Sequence, residues 1–257
     1  MDARDKGHSF LRVYRIIEMV AGSEWPISYS EISERLDLSK PSAHRLCEML
    51  ESNSIIVRAL DGKSYRPGPR LRALSMDILG GSALQLERQL ILRSVSEKTG
   101  ETCNITVPDG MEMLYLDRVE TAWPLRISMP AGSRVPLHCT ASGKLYLSQL
   151  ASRERKKLIS SLDLKSYTKN TITDSGKLIE QLKTIRQQQV GTDDQEFIDE
   201  MISVSVPIND PLGRICATIA VHGPISRLPF EKALSHLPVL REAAAQLETT
   251  IGAGPGT

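Results

Sequence analysis

The segment from Ser28 to Gly68 restricts the fold of this 257-residue chain more than any other part of its sequence. Ile32 and Leu36 lie about one helical turn apart, and Asp37-Leu38-Ser39 then interrupts the pattern. Apolar residues return at three- and four-residue spacing, at Ala43, Leu46, Cys47 and Leu50. This spacing predicts a second helix, with Ser39 as its N-cap.

A hairpin is predicted directly after the second helix. The short strands Ile55–Ala59 and Lys63–Arg66 flank Asp61-Gly62, a pair that favours a tight turn with positive φ. Helix, turn, helix and hairpin in this order are typical of a winged helix-turn-helix, which places its second helix in the major groove of DNA.

The outer face of the second helix and the hairpin supply the candidate DNA contacts. A helix placed in this way makes base contacts from its first turns, and a wing can reach phosphates or the minor groove. The candidate residues are Ser39, Lys40, Pro41, Ser42, His44, Arg45, Arg58, Lys63 and Arg66. The same cations also fit a solvated surface, Ser42 could bond within its own helix, and Glu48 fits an intrahelical partner better than a cytosine reader.

The rest of the chain predicts an α+β fold. Helices are expected over residues 10–21, 71–79, 84–99, 141–150, 153–162, 174–189 and 230–251, and strands over 102–107, 113–119, 125–129, 203–208 and 215–222. In helix 84–99, Leu86, Leu90 and Ile91 are expected to face inward. The predicted organisation is a DNA-binding domain over 1–68, a linker helix over 69–82 and a second domain over 83–257.

Composition excludes several classes of protein. The chain is 40% hydrophobic and 25% charged with a net charge of +1, so DNA binding must depend on a few placed cations. None of the four cysteines forms a C-x-x-C pair, which argues against a disulfide framework or a zinc ribbon. No signal peptide or membrane span is visible, so we expect a cytoplasmic protein without a cofactor.

Three alternative sites are weak. Cys139 cannot readily use His138 as its base, because adjacent residues of an extended segment point to opposite sides. Cys103, Cys139, His138 and His222 could converge on a metal, but no ligand spacing supports this. Ser142-Gly143-Lys144 lacks both the first glycine and the final Ser or Thr of a phosphate loop. We therefore expect neither an enzyme nor a metal site.

The chain resembles the IclR family of bacterial transcription regulators over about residues 8–247. The resemblance depends on motifs that occur in the family's order, namely Leu38–Leu46, Tyr65–Pro69, Thr99–Thr102, Gly132–Lys144, Thr171–Thr173, Asp193–Glu196 and Gly223-Pro224. It implies a dimer, or a tetramer built as a dimer of dimers, whose front domain binds an operator. The rear domain is implied to be a GAF-like antiparallel-sheet domain that binds a small metabolite.

By similarity, the metabolite pocket is built from Ala141, Ser142, Asp193, Ser203, Ala220, His222, Ile127, Val135 and Val204. Asp193 could bind a ligand hydroxyl, accept from His222, be protonated, or cap a neighbouring turn. The family commonly has glycine at Ser54 and Glu200, and members that bind small keto acids have serine at Ala220 and His222.

These departures suggest a different anionic effector, an organic or aromatic acid that is bulkier than a keto acid. His222 adds a larger ring and a possible positive charge to the pocket. A sensor or adaptor that makes no direct DNA contact is the alternative to an effector-controlled regulator.

Overall fold

A computed structural model describes residues 3–23, 25–59, 61–79, 82–124 and 129–252. The chain divides into two compact units, residues 1–81 and 82–257.

The first unit is a helix-turn-helix with a small sheet. Its elements are α1 (Ala3–Gly22), β1 (Ile27–Ser28), α2 (Tyr29–Arg35), α3 (Lys40–Ser52), β2 (Ile56–Arg58), β3 (Ser64–Pro67) and α4 (Pro69–Leu79). The sheet is antiparallel, with the order β1-β3-β2. A capping box at Ser28 begins α2 and Ser39 caps α3, so the predicted winged helix-turn-helix and its N-cap are confirmed.

The buried face of α1 differs from the apolar stripe that its sequence predicts, which consists of Phe10, Val13, Tyr14, Ile17, Val20 and Ala21. Ile16 and Val20 are buried in the core, whereas Phe10 and Tyr14 are exposed and stack on each other. The apolar spacing therefore included the exposed Phe10 and Tyr14 and omitted the buried Ile16.

The second unit is a six-stranded antiparallel sheet with helices. Its elements are α5 (Ser82–Thr99), β4 (Thr102–Asp109), β5 (Glu112–Val119), β6 (Arg134–Pro136), α6 (Ala141–Gln149), α7 (Ser152–Ser161), α8 (Ser175–Gln188), β7 (Gly191–Asp194), β8 (Met201–Asn209), β9 (Ile215–Pro224), α9 (Phe230–Ser235) and α10 (Leu237–Gly252). The strand order is β6-β5-β4-β9-β8-β7. The predicted α+β architecture is confirmed.

The two faces of this sheet carry different side chains. α5 and α10 pack against one face, where Ile105, Ile219 and Val206 form adjacent cross-strand pairs. α6 lies against the other face, where Asn104 pairs with Ala220. Because side chains alternate along a strand, the polar residues of β4, β8 and β9 meet on this second face.

Three elements differ from their predictions. β6, which pairs with β5, was not predicted as a strand. Residues 125–128 of the expected third strand lie outside the described residues, so that strand stays a prediction. β7 was not expected, since Gly and Asp are poor strand formers. The last helix is two helices, α9 and α10, which meet at His236 two residues before Pro238.

The inward face of α5 was also wrong. Leu86 and Leu90 are exposed, and the buried face carries Arg88 and Leu92 instead. Arg88 forms a buried ion pair with Asp117 of β5. The spacing of apolar residues cannot reveal a buried charged residue such as Arg88, so it indicated the wrong side of α5 as buried.

Candidate functional site

The first turn of α3 is held by its cap and leaves its cations exposed. The Ser42 N–H donates to Ser39 Oγ at 3.3 Å, and the Ser39 hydroxyl donates to Ser42 Oγ at 2.8 Å. Pro41 stands in the first turn, where its missing N–H costs nothing. Lys40 and Arg45 are exposed. In the described part of the chain neither makes an ion pair, so both are available to a phosphate or a base.

His44 is engaged within the first unit. Its Nδ1 lies 3.4 Å from Glu48 Oε2, one helical turn away, and its ring packs edge-on against Tyr29 at 5.2 Å. The expectation that Glu48 is an intrahelical partner is confirmed. These contacts fix the orientation of the imidazole at the surface of α3.

The wing cations divide into two kinds. Arg58 Nε donates to Glu51 at 3.0 and 3.1 Å, and its Nη1 donates to the Gly62 carbonyl at 3.1 Å. Its guanidinium also lies 5.2 Å from the ring centroid of Tyr65. Lys63 and Arg66 are exposed, and among the described residues neither side chain makes an ion pair. Arg58 therefore ties the wing to α3, while Lys63 and Arg66 extend from it.

A cavity of about 40 Å³ lies on the polar face of the large sheet, beside the start of α6. Seven of the nine predicted effector residues line it, namely Val135, Ala141, Ser142, Asp193, Ser203, Ala220 and His222. Val204 does not, because it pairs with Val221 and lies on the opposite face from Ser203. Ile127 lies outside the described residues.

The N-terminus of α6 lies at the cavity. Thr140 caps the helix and accepts from the Gly143 N–H at 3.1 Å. Within the described ranges, the N–H groups of Ala141 and Ser142 have no acceptor, and both residues line the cavity. A helix start with unpaired donors favours an anion such as a carboxylate.

Asp193 caps a turn and lines the cavity at once. Its Oδ1 accepts from the N–H groups of Glu196 at 2.7 Å and Phe197 at 3.3 Å. Burial outweighs these bonds and the nearby Lys144, and it raises the pKa of Asp193 to about 7. The capping role is confirmed, and the carboxyl is partly protonated near neutral pH.

His222 is a neutral group in this structure. Burial and the nearby cation of Arg118 lower the pKa of His222 to about 3. The lowered pKa disfavours the positive charge that the sequence left possible at this position, because the surrounding sheet cannot solvate an imidazolium. His222 lines the cavity as a hydrogen-bonding ring.

Several cavity residues were missed by sequence reasoning. They are Asn104, Thr106, Tyr115, Met129, Thr140, Phe197, Ile198, Met201 and Ile202. One signal was present, since Thr102, Asn104 and Thr106 alternate with apolar residues in β4. That alternation marks a polar face, and a polar face that is covered by a helix indicates a site.

The alternative chemistries gain no support. Cys139 is fully buried, and burial raises the pKa of its thiol well above the usual value, which disfavours a nucleophilic thiolate. His138 bonds the Lys165 carbonyl at 2.9 Å. Where side chains are described, no group of three or more His, Cys, Asp or Glu residues is arranged to hold a metal. None of the described helices is long and apolar enough for a membrane crossing.

A winged helix-turn-helix followed by a helix and a cavity-bearing antiparallel-sheet domain defines a class of two-domain DNA-binding regulator. Comparison with known families gives the same answer. The IclR helix-turn-helix domain matches residues 9–59, and the bacterial transcriptional regulator IclR C-terminal domain matches residues 77–249. The chain belongs to the IclR family of DNA-binding transcriptional regulators.

Individual relatives support this assignment. The probable transcriptional regulator SauR of Cupriavidus necator is 39% identical over 240 residues, which cover 93% of this chain and 95% of SauR. The crystal structure of the Thermotoga maritima IclR has 28% identity and a TM-score of 0.64, over 95% of this chain and 99% of that one. These relatives are transcriptional regulators and not enzymes.

A third relative shows a ligand. The inducer-binding domain of a double mutant of PobR from Acinetobacter, solved with 3-hydroxybenzoic acid, has 28% identity and a TM-score of 0.58. The match covers 62% of this chain and 94% of that domain.

Proposed function

We propose that this protein is a metabolite-responsive regulator, which binds its operator as a dimer or a tetramer and is controlled by a small organic acid. The observation that carries the proposal is the cavity at the start of α6. Backbone donors of Ala141 and Ser142 meet polar side chains of the sheet there. Small-molecule sites are concave and combine apolar walls with a few convergent polar groups of this kind.

In contrast to the bulkier acid suggested by the sequence, the size of the cavity favours a short acid. Its volume is about 40 Å³, whereas a cavity of about 150 Å³ accommodates benzene. The ring of His222 forms part of the cavity wall. Because the ring is neutral, it can form a hydrogen bond with a carbonyl or hydroxyl group of the ligand but does not attract an anion by charge. An aromatic acid, such as the 3-hydroxybenzoic acid bound to the PobR domain, requires the wall to move.

On the DNA side, we propose that α3 enters the major groove with Ser39, Lys40, Pro41, Ser42, His44 and Arg45 at the interface. Lys63 and Arg66 of the wing are proposed to contact phosphates. In a symmetric dimer, two such helices would occupy successive major grooves about 34 Å apart on a partly palindromic site.

The first test of the effector is a thermal-shift screen with glyoxylate, pyruvate, lactate, benzoate and 3-hydroxybenzoate. An acid at about 100 times its dissociation constant adds about 2.7 kcal/mol of stability. We expect one of the short acids to raise the melting temperature. Failure of every acid would overturn the proposed effector class.

A cavity-filling variant locates the binding. Ala220→Leu adds a side chain inside the cavity and is expected to abolish the shift caused by the acid. Ala245→Leu, at an exposed position of α10, is the matched control and should keep that shift. A shift that survives in Ala220→Leu would place the acid elsewhere.

The DNA side is tested by selection of bound fragments from the genome of the source bacterium, followed by footprinting. A discrete protected site with two related halves is the expected result. The absence of any protected site would favour a sensor or adaptor without direct DNA contact.

A further inference from the structure

A buried lysine stands directly behind the cavity. Lys144, in the first turn of α6, is fully buried and makes an ion pair with Glu196, which is 5% exposed. Lys144 Nζ also donates to Gln181 Oε1 of α8 at 3.1 Å. Neither Lys144 nor Glu196 lines the cavity.

The ion pair joins the two segments that form one wall of the cavity. Lys144 follows Ala141 and Ser142, which line the cavity from α6. Glu196 lies in the turn after β7, between the cavity residues Asp193 and Phe197, and its N–H donates to Asp193. A change in the distance between Lys144 and Glu196 therefore changes the distance between the helix donors and the Asp193 carboxyl.

The two segments also approach each other closely at Gly191 of β7. A Cβ on Gly191 of β7 would lie 2.1 Å from the Ala141 carbonyl oxygen. Only glycine therefore allows β7 to come this close to the start of α6. On the far side of the turn, the Glu196 carbonyl accepts from the Thr171 hydroxyl at 2.6 Å. The turn is thus held from both sides, and the Lys144–Glu196 ion pair links it to α6.

Stability alone does not account for this pair. Removing two charges from water is costly, and apolar residues of similar volume often stabilise a core equally well. The Glu196 Oε2 atom also has no hydrogen-bond partner in the described structure, which adds to the cost. An ion pair that adds little stability can still hold the groups around it in one arrangement. Its hydrogen bonds require a defined geometry, which apolar packing does not.

We propose that Lys144 and Glu196 are positioning residues, whose ion pair sets the spacing of the cavity wall and thereby the affinity for the effector. This inference rests on the proposed function of the cavity. The pair touches no ligand and acts through Ala141, Ser142 and Asp193.

The test replaces both charges together, because a single replacement leaves a buried charge and risks unfolding. Full-length Lys144→Met/Glu196→Met is compared with the parent by hydrogen exchange, read in peptides from 137–146 and 191–199. We expect roughly tenfold faster exchange in these two peptides and unchanged exchange in β8 and β9. Parent-like exchange in both peptides would overturn the proposal, and so would an equal increase across the sheet.

The chain offers a matched control on the other face of the same sheet. Arg88 and Asp117 form a second buried ion pair, between α5 and β5, away from the cavity. The variant Arg88→Met/Asp117→Met should leave exchange in 137–146 and 191–199 at the parent value. If both double variants accelerate the same peptides, the Lys144–Glu196 pair has no particular role in the wall.

A second readout uses pyruvate and 3-hydroxybenzoate as probes. For either acid that binds the parent, we expect the Lys144→Met/Glu196→Met dissociation constant to rise roughly tenfold, while the Arg88→Met/Asp117→Met value is unchanged. An unchanged affinity in both variants would overturn the proposal. If neither acid binds the parent, hydrogen exchange decides whether the pair positions the wall, and the effector class is decided separately by the full screen of five acids.

Discussion

At the scale of single residues, Asp193 shows how one side chain serves both the fold and the cavity. One of its oxygens caps the turn that carries Glu196 and Phe197, and the residue lines the cavity. From the sequence, capping and ligand binding were competing interpretations. The structure makes them compatible, because a carboxyl has two oxygens and only Oδ1 is needed for the cap.

The raised pKa of Asp193 leads to a prediction for Asp193→Asn. The folded protein keeps this proton up to a pH of about 7, whereas an unfolded chain loses it near 3.8. Ionisation therefore opposes folding increasingly as the pH rises between these values. Asparagine keeps an acceptor for the turn and cannot ionise, so at pH 8 we expect the variant to be more stable, on the order of 4 kcal/mol.

Urea unfolding of the second unit at pH 4, 6 and 8 measures this difference. Stability should be nearly equal at pH 4 and should separate as the pH rises. If the two proteins keep a constant difference at every pH, Asp193 is not a buried carboxyl with a raised pKa.

Arg45 is the residue on which direct DNA contact is most simply tested. It lies exposed on α3, without an ion pair among the described residues. A base or phosphate contact of this kind contributes about 1–3 kcal/mol, so Arg45→Ala should weaken operator binding by roughly tenfold or more. The exposed Arg241 of α10 gives the matched control, Arg241→Ala. Equal operator affinities for Arg45→Ala and the parent, measured by fluorescence anisotropy, would remove Arg45 from the interface.

At the scale of elements, the wing separates cations that hold structure from cations that reach outward. Arg58 bonds Glu51 of α3 and the Gly62 carbonyl, whereas Lys63 and Arg66 extend into solvent. All three are equivalent in the sequence, where each is a basic residue next to a turn. Glu51 lies at the end of α3, seven residues before Arg58, and its position in the structure shows that Arg58 is the cation that forms an ion pair within the unit.

The salt dependence of operator binding distinguishes these two roles. Each phosphate contact that is lost reduces the slope of log affinity against log salt by about one unit. We expect Lys63→Ala and Arg66→Ala to reduce the slope. Arg58→Gln should weaken binding through the shape of the wing while the slope stays close to that of the parent. A reduced slope for Arg58→Gln would mean that Arg58 itself contacts phosphate.

Elements were predictable from the sequence where local signals and tertiary contacts agree. α3 has a cap, a buried stripe and a stop at Asn53, and its prediction was confirmed. β6 and β7 were missed because Pro136, Gly191 and Asp193 are poor strand formers, and their pairing is imposed by β5, β8 and α6. The Lys144–Glu196 pair was missed for a related reason, since its partners are 52 residues apart and no local pattern connects them.

At the scale of the whole molecule, the two units carry different sites. The cations proposed to contact DNA lie in residues 1–81, and the cavity lies in residues 82–257. Family membership joins a DNA-binding and an effector-binding domain in one chain. Regulation then requires that the acid binds the operator-bound and the free protein with unequal affinity.

This requirement gives a quantitative test that does not depend on the sign of regulation. If an acid changes the operator affinity by some factor, the operator must change the affinity for that acid by the same factor. Coupling of this kind is typically about 1–3 kcal/mol, or roughly 5- to 150-fold. We expect the two factors to agree when the acid is titrated into free and operator-bound protein and the operator is titrated with and without the acid. Because Ala220→Leu fills the cavity, it should bring the coupling factor to one without changing operator affinity in the absence of acid. An acid that binds both forms equally, however tightly, is not the effector that controls this regulator.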